Sequence, residues 1–150
     1  MNIKIFNNDL PEDIDLSNEK VVALDNEALG LVLGRDPLTL VQIGLESKKY
    51  YLIKLNRENY DAPNLKNFLS TSNAQFIMHY ARQDLLWLKY HLDVELKNIF
   101  CTKLASKIAR TASQYHGYKD LVRELVGKEI SKKEQQSDWG DPNLTEKQIN

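Results

Sequence analysis

Two short stretches of this chain place carboxylates where a folded protein has reason to avoid them. The first is Val21-Val22-Ala23-Leu24-Asp25-Asn26-Glu27. Its apolar, β-branched beginning reads as a buried core strand. Strand side chains alternate between faces, so Asp25 and Glu27 project on the same side. The second is an apolar strand from Ala74 to Met78, followed by His79-Tyr80-Ala81-Arg82-Gln83-Asp84 and an apolar helix. With those strands as neighbours, Asp25, Glu27 and Asp84 meet at one edge of a sheet. Like charges held close and poorly solvated are costly, and a divalent cation relieves that cost. A donor set made only of carboxylates suits Mg²⁺ or Mn²⁺. An Asp-x-Glu pair alone is usually a solvated surface pair, and Asp84 alone would serve as an acid favoured by a helix N-terminus. What sets these residues apart is that each stands at the carboxyl side of an apolar strand, where open α/β sheets hold their ligands.

The elements that must position them follow from the hydrophobic periodicity. Met1 to Phe6 reads as a short edge strand, and Asn7 to Ser17 as a polar, acidic loop. Gly30, Gly34 and Pro37 mark a turn after the first core strand. Leu38 to Leu45 and Tyr50 to Leu55 complete an antiparallel meander. Pro63 opens a helix through about Leu69, and Gln75 to His79 is the next strand. Asp84 to Leu92 is an apolar helix, and Asn98 to Cys101 a short strand or turn. Helices over Thr102 to Thr111 and Lys119 to Val126 come next, with Gly127 as the stop of the second. Ser131 to Asn143 is a polar loop, and Leu144 begins a last helix. Strands first, then strand–helix alternation, imply an α/β domain with a mixed five- or six-stranded sheet and helices on its faces.

Composition narrows the function classes. A length of 150 residues is one domain, with charged and apolar fractions of 27% and 42% typical of a soluble globular protein. The formal charge of −1 excludes a global basic field that would recruit long nucleic acid, so an anionic substrate needs local groups or metal. The single cysteine, Cys101, excludes an internal disulfide and fits a reducing cytoplasm; its apolar flanks suggest an inert thiol. No signal-peptide core and no apolar stretch of membrane-spanning length appear, so no membrane partner is expected.

Two helix patterns carry more than fold. Leu85, Leu88 and Leu92 form a core stripe, while Trp87, Tyr90 and His91 form a second face for intrachain packing or a subunit interface. Lys103, Lys107 and Arg110 fall at i, i+4 and i+7 as one cationic stripe, which is either a solvated face or a phosphate-contacting or inter-subunit one.

Taken together, Asp25-Asn26-Glu27, His79-Tyr80-Ala81-Arg82-Gln83-Asp84-Leu85, Ser137-Asp138-Trp139 and Leu144-Thr145-x-x-Gln148 resemble the ribonuclease D branch of the DEDD 3′→5′ exonucleases. The block from Phe100 to Thr111, with His116-Gly117, Ile130-Ser131-Lys132-Lys133 and Gln135 to Trp139, is similar to the short single-domain nano-RNase C group. That resemblance implies an RNase H-like sheet and a metal-dependent 3′→5′ exoribonuclease acting on short RNA oligonucleotides. It implies two divalent metals, Mg²⁺ or Mn²⁺, on Asp25, Glu27 and Asp84, and a homo-oligomer. Leu29 and Gly30 match a stretch that wedges against the terminal base, and Gln42 and His79 are further substrate-binding candidates. The family's third motif, Tyr-x-x-x-Asp, follows the Leu-x-x-x-Gln helix start, and this chain stops at Asn150 where it is due. The resemblance therefore implies one exonuclease domain over residues 1–150 that is truncated at its C-terminus and weak or inactive alone. His116-x-x-x-Asp120 is one residue short of the histidine variant's spacing and is not taken as a substitute. A degenerate nucleotide- or partner-binding module and a DNA-directed exonuclease are the alternatives.

Overall fold

A computed structural model describes residues 2–130 together with 139, 141 and 145. Six strands form one mixed sheet: β1 (Asn2–Asn7), β2 (Val21–Ala28), β3 (Leu38–Leu45), β4 (Lys49–Lys54), β5 (Gln75–Met78) and β6 (Ile99–Cys101). Their order is β1-β4-β3-β2-β5-β6. The β2–β3–β4 meander is antiparallel, while β1–β4, β2–β5 and β5–β6 are parallel. β1 lies at an edge as its short, polar-flanked sequence predicts. The helices are α1 (Pro63–Thr71), α2 (Arg82–Leu92), α3 (Thr102–Ala109) and α4 (Tyr118–Leu121). The helix expected over Lys119 to Val126 is different in kind: α4 is one turn, continuing as a π-helical turn over Val122–Val126, which Gly127 ends at φ +72°. The expected loop and final helix from Ser131 onward lie outside the described residues apart from Trp139, Asp141 and Thr145.

One core joins α1 and α2 to a face of the sheet. Val22 and Leu24 of β2, Val41 and Ile43 of β3 and Phe76 and Met78 of β5 meet Leu65 and Leu69 of α1 and Trp87, Leu88 and Leu92 of α2. Each such side chain, fully buried, contributes about 1.5–3 kcal/mol. The opposite face carries a smaller cluster of Leu40, Leu52 and Trp139, with Ile3 against it. β2 departs from the expected buried strand. Val22 and Leu24 point into the core, but Ala23 and Asp25 are exposed, because among the described residues nothing covers that side of the strand.

The helix ends show what sequence periodicity leaves out. Ala62, at the N-cap of α1, offers no capping side chain. Asp9 supplies the cap from a distant loop, accepting from the Asn64 and Leu65 N–H groups at 2.9 Å each. α2 begins at Arg82, earlier than expected, so Asp84 falls inside its first turn, where the helix dipole favours an acid. Among the described residues no helix is long and apolar enough to cross a membrane.

Candidate active site

The parallel pairing of β2 with β5 runs Val21↔Gln75, Val22↔Phe76 and Ala23↔Ile77. It brings the carboxyl ends of both strands to the same edge. Asp25 and Glu27 leave β2 there, and the chain turns from β5 through His79 and Tyr80 into α2 and Asp84. Tyr80 makes that turn with φ +60°, an unusual backbone for a bulky residue. The Asn26 side-chain amide donates to the Asp84 carbonyl oxygen at 3.2 Å, tying the two elements together.

A β-bulge shapes the site at Glu27. Glu27 pairs with Leu40 and Ala28 with Leu38, so Thr39 is the extra residue on β3. Its hydroxyl donates to the Glu27 carbonyl oxygen at 2.9 Å. Opposite Asp25 in the ladder is Gln42, whose amide Nε2 donates to Glu27 Oε1 at 3.2 Å. The bulge therefore fixes the backbone of Glu27, and Gln42 fixes its carboxylate.

The three carboxylates disturb one another. Burial first, then the charges of Asp25 and Asp84, push Glu27 up to about 8, against a weaker opposing bond from Gln42. Asp84 is also raised, by burial and then by Asp25. Asp25 reaches solvent at the surface, yet the protein around it still raises its pKa. A hydrogen bond between Asp25 and Asp84 favours the proton on Asp84. Among the described residues none of the three pairs with Lys or Arg. Nor do three His, Cys, Asp or Glu side chains there already close around one point in ligating geometry. The donors are nonetheless the right chemistry for a hard divalent cation: oxygen only, anionic when deprotonated, and without a neutralising cation among the described residues.

The other candidates occupy distinct surroundings. Leu29 and Gly30 begin the loop that joins β2 to β3, with Leu29 43% exposed. His79 faces away from the carboxylates in its bonding: its Nδ1 meets the Thr102 hydroxyl at 2.9 Å, and Tyr118 packs on its ring. Burial, then the Lys103 charge, lowers its pKa. Of the face of Trp87, Tyr90 and His91, Trp87 and His91 pack within the chain, while Tyr90 is exposed. His91 stacks on Trp87 and contacts Tyr60, and Trp87 is buried. The cationic stripe is broken up. Lys103 sits 3.9 Å over the Tyr80 ring, Arg110 pairs with Glu124 and bonds Ser106, and Lys107 is exposed. Asp120 pairs with Arg123, and His116 bonds Ser106 and the Ser113 carbonyl, so neither reaches the carboxylate edge. Cys101 is only half-buried. Burial raises its thiol, but N–H groups of Leu104, Ala81, Tyr80 and Lys103 outweigh that and lower it. Sequence reasoning missed Thr39, Asn26 and Asp36. A bulge leaves no periodic signal, and an amide or a loop acid has none of its own.

The mixed six-stranded sheet and its flanking helices are an RNase H-like fold of the ribonuclease D-type exonucleases. Residues 4–150 match the family described as 3′-5′ exonuclease, and the chain belongs to that family. It is 32% identical over 128 residues to a ribonuclease D of Desulfotalea psychrophila, a match covering 85% of this chain and 34% of that protein. The chain thus spans about a third of that curated relative. Among solved structures it is similar to Brucella melitensis NrnC, with 37% identity, a TM-score of 0.91, and coverage of 99% of this chain and 72% of that one. Brucella melitensis NrnC is also known with bound Mg²⁺, at 36% identity and a TM-score of 0.89 over the same shares of the two chains. It is known bound to pGG as well, at 37% identity and a TM-score of 0.90, again over those shares. The fold extends to Escherichia coli RNase D at 21% identity and a TM-score of 0.69, covering 87% of this chain and 34% of that one.

Proposed function

We propose that this chain is the 3′-5′ exoribonuclease domain of an enzyme that trims short RNA oligonucleotides to nucleoside monophosphates. The observation that carries the reading is the meeting of Asp25, Glu27 and Asp84 at the β2–β5 edge, all three with raised pKa values and none paired with Lys or Arg among the described residues. Asp25, Glu27 and Asp84 are the residues that would hold two divalent cations, Mg²⁺ or Mn²⁺, as carboxylates. When bound, such ions lower the pKa of an attacking water and stabilise the departing 3′-oxygen. Gln42 acts by orienting Glu27, and Asn26 by holding the first turn of α2 against β2. Leu29 and Gly30 lie beside the terminal base. His79 is held by Thr102 and supports the turn that presents Asp84 rather than touching the phosphate.

The Mg²⁺ and pGG bound by the similar NrnC support both the metal and the short substrate. The fourth carboxylate and the water-orienting tyrosine that the resemblance calls for are not assigned to any described residue. Hydrolysis is therefore proposed for the domain together with those groups, and metal-dependent oligonucleotide binding for residues 1–150. Exposed Leu104, Ile108, Leu125 and Val126 make self-association part of the same proposal.

The test is calorimetric titration of residues 1–150 with a short RNA, with and without Mn²⁺. Binding should require the metal and should be lost in Glu27→Gln. Equal binding by parent and variant, or metal-independent binding, would reject the nuclease reading. Equal affinity for the matching DNA would move it to a DNA-directed enzyme.

A further inference from the structure

Between β2 and β3 the chain closes a compact ring over residues 29–37. Its centre is the Asp36 carboxylate. One oxygen accepts from the Val32 N–H at 2.9 Å and from an Arg35 guanidinium nitrogen at 2.7 Å, and the other accepts from Arg35 Nε at 2.6 Å. The backbone closes the ring twice more, with the Asp36 N–H donating to the Val32 carbonyl and the Leu29 N–H to that of Pro37. The carboxylate lies flat against Gly30, where a Cβ would stand 2.1 Å from Asp36 Oδ2. Gly34 turns the chain at φ +84° beside the Tyr90 hydroxyl, and His91 bonds the Asp36 backbone. The ring is thus docked on α2, the helix whose first turn carries Asp84.

The side chains of this ring are sorted in the opposite way to a normal surface loop. Asp36 is 9% exposed, whereas Leu29, Leu31, Val32 and Leu33 are 43%, 83%, 47% and 40% exposed. A rigid, outward-facing apolar patch on a polar clamp marks a contact surface. It starts two residues after Glu27 and so continues the carboxylate edge.

We propose that Asp36 is a positioning residue that holds this apolar patch ready for the 3′-terminal base of a short oligonucleotide. The inference rests on the proposed nuclease reading. A terminal nucleotide whose phosphodiester lies on Asp25, Glu27 and Asp84 has its base within reach of the patch, and the flat apolar face of any base suits it. Because the clamp is made within the loop, the backbone that carries the patch is ordered before substrate arrives, and binding is spared the entropy of ordering it. Arg35 and the Val32 N–H satisfy Asp36 fully, which leaves that carboxylate no role in holding metal.

The experiment compares two dinucleotides with a non-hydrolysable linkage, one complete and one lacking its 3′ base, titrated calorimetrically in Mn²⁺. The parent chain should bind the complete one about tenfold more tightly, the scale of one stacked base. In Asp36→Ala the two should bind within about twofold of each other, with Mn²⁺ affinity and binding of the abasic dinucleotide unchanged. Leu31→Ser, which alters the patch without touching the clamp, should lose the same preference and serves if Asp36→Ala does not fold. Retained preference in both variants would overturn the proposal. So would a parent that binds both dinucleotides equally, or an Asp36→Ala chain that loses Mn²⁺ and abasic binding together with base binding. Loss of self-association in Leu31→Ser by light scattering, with preference intact, would make the patch a contact between copies instead. A parent that binds neither dinucleotide in Mn²⁺ would reject the underlying nuclease reading as well.

Discussion

Glu27 and Asp36 lie on either side of one hairpin turn, and their surroundings treat a carboxylate in opposite ways. Asp36 is clasped by Arg35 and the Val32 N–H, which hold it down at about 2. Its own loop covers it, and the hydrogen bonds from Arg35 and the Val32 N–H outweigh the desolvation that opposes them. Glu27 has one amide for company and two neighbouring carboxylates, and is pushed up to about 8. A satisfied carboxylate is a fastener, and a frustrated one is a sign of something still to be bound. The linked stabilities have opposite signs. Asp36, with a depressed pKa, supports the fold above about pH 4, and that support is lost as pH falls toward 2. Glu27, with a raised pKa, supports the fold most below its unfolded value of 4.5, and that support is lost as pH rises toward 8.

The largest effect that would sharpen this contrast is on metal affinity. Asp84→Asn removes a charged donor from the cluster and should weaken Mn²⁺ binding by about 100-fold or more, beyond what losing a merely supporting group does. Isothermal titration measures it, and an unchanged affinity would leave the cluster without its proposed role. A second, intermediate effect concerns stability without metal. Between pH 5 and 8 the parent's melting temperature should fall as Glu27 keeps a proton that the unfolded chain releases. Glu27→Gln should flatten that fall and be the more stable chain at pH 8, by roughly 3 °C for each kcal/mol of repulsion relieved in a domain of this size. Calorimetric scans at both pH values decide it, and parallel curves for parent and variant would break the contrast. The smallest effect is expected at Gln42. Gln42→Leu frees the Glu27 carboxylate without removing it, so Mn²⁺ affinity should drop only a few-fold, with Glu27 rising further. A loss as large as that of Asp84→Asn would show that Gln42 does more than orient its neighbour.

Much of this site was legible before any coordinates. Apolar runs ending in Asp25, Glu27 and Asp84 located the edge, and the turn residues after Glu27 located the loop. The face of Trp87, Tyr90 and His91 was legible as a second apolar stripe, but whether it met this chain or another was open. The structure buries Trp87 and stacks His91 on it beside Tyr60, and it leaves Tyr90 exposed. The cationic stripe of Lys103, Lys107 and Arg110 was legible only as spacing. Its residues part because Tyr80, Ser106 and Glu124 offer each a different local partner or none.

By itself the sequence determined the elements and their acids, since periodicity, turn residues and side-chain alternation act over a few neighbouring residues. Only the tertiary structure decided which of those acids share an environment. The β2–β5 pairing joins residues more than fifty apart in the chain, and the bulge at Thr39 sets the direction of Glu27. Asp36 and Glu27 look alike as letters. They differ because burial and electrostatic energy depend on distances through space: Glu27 is desolvated beside two carboxylates, while a guanidinium stands beside Asp36.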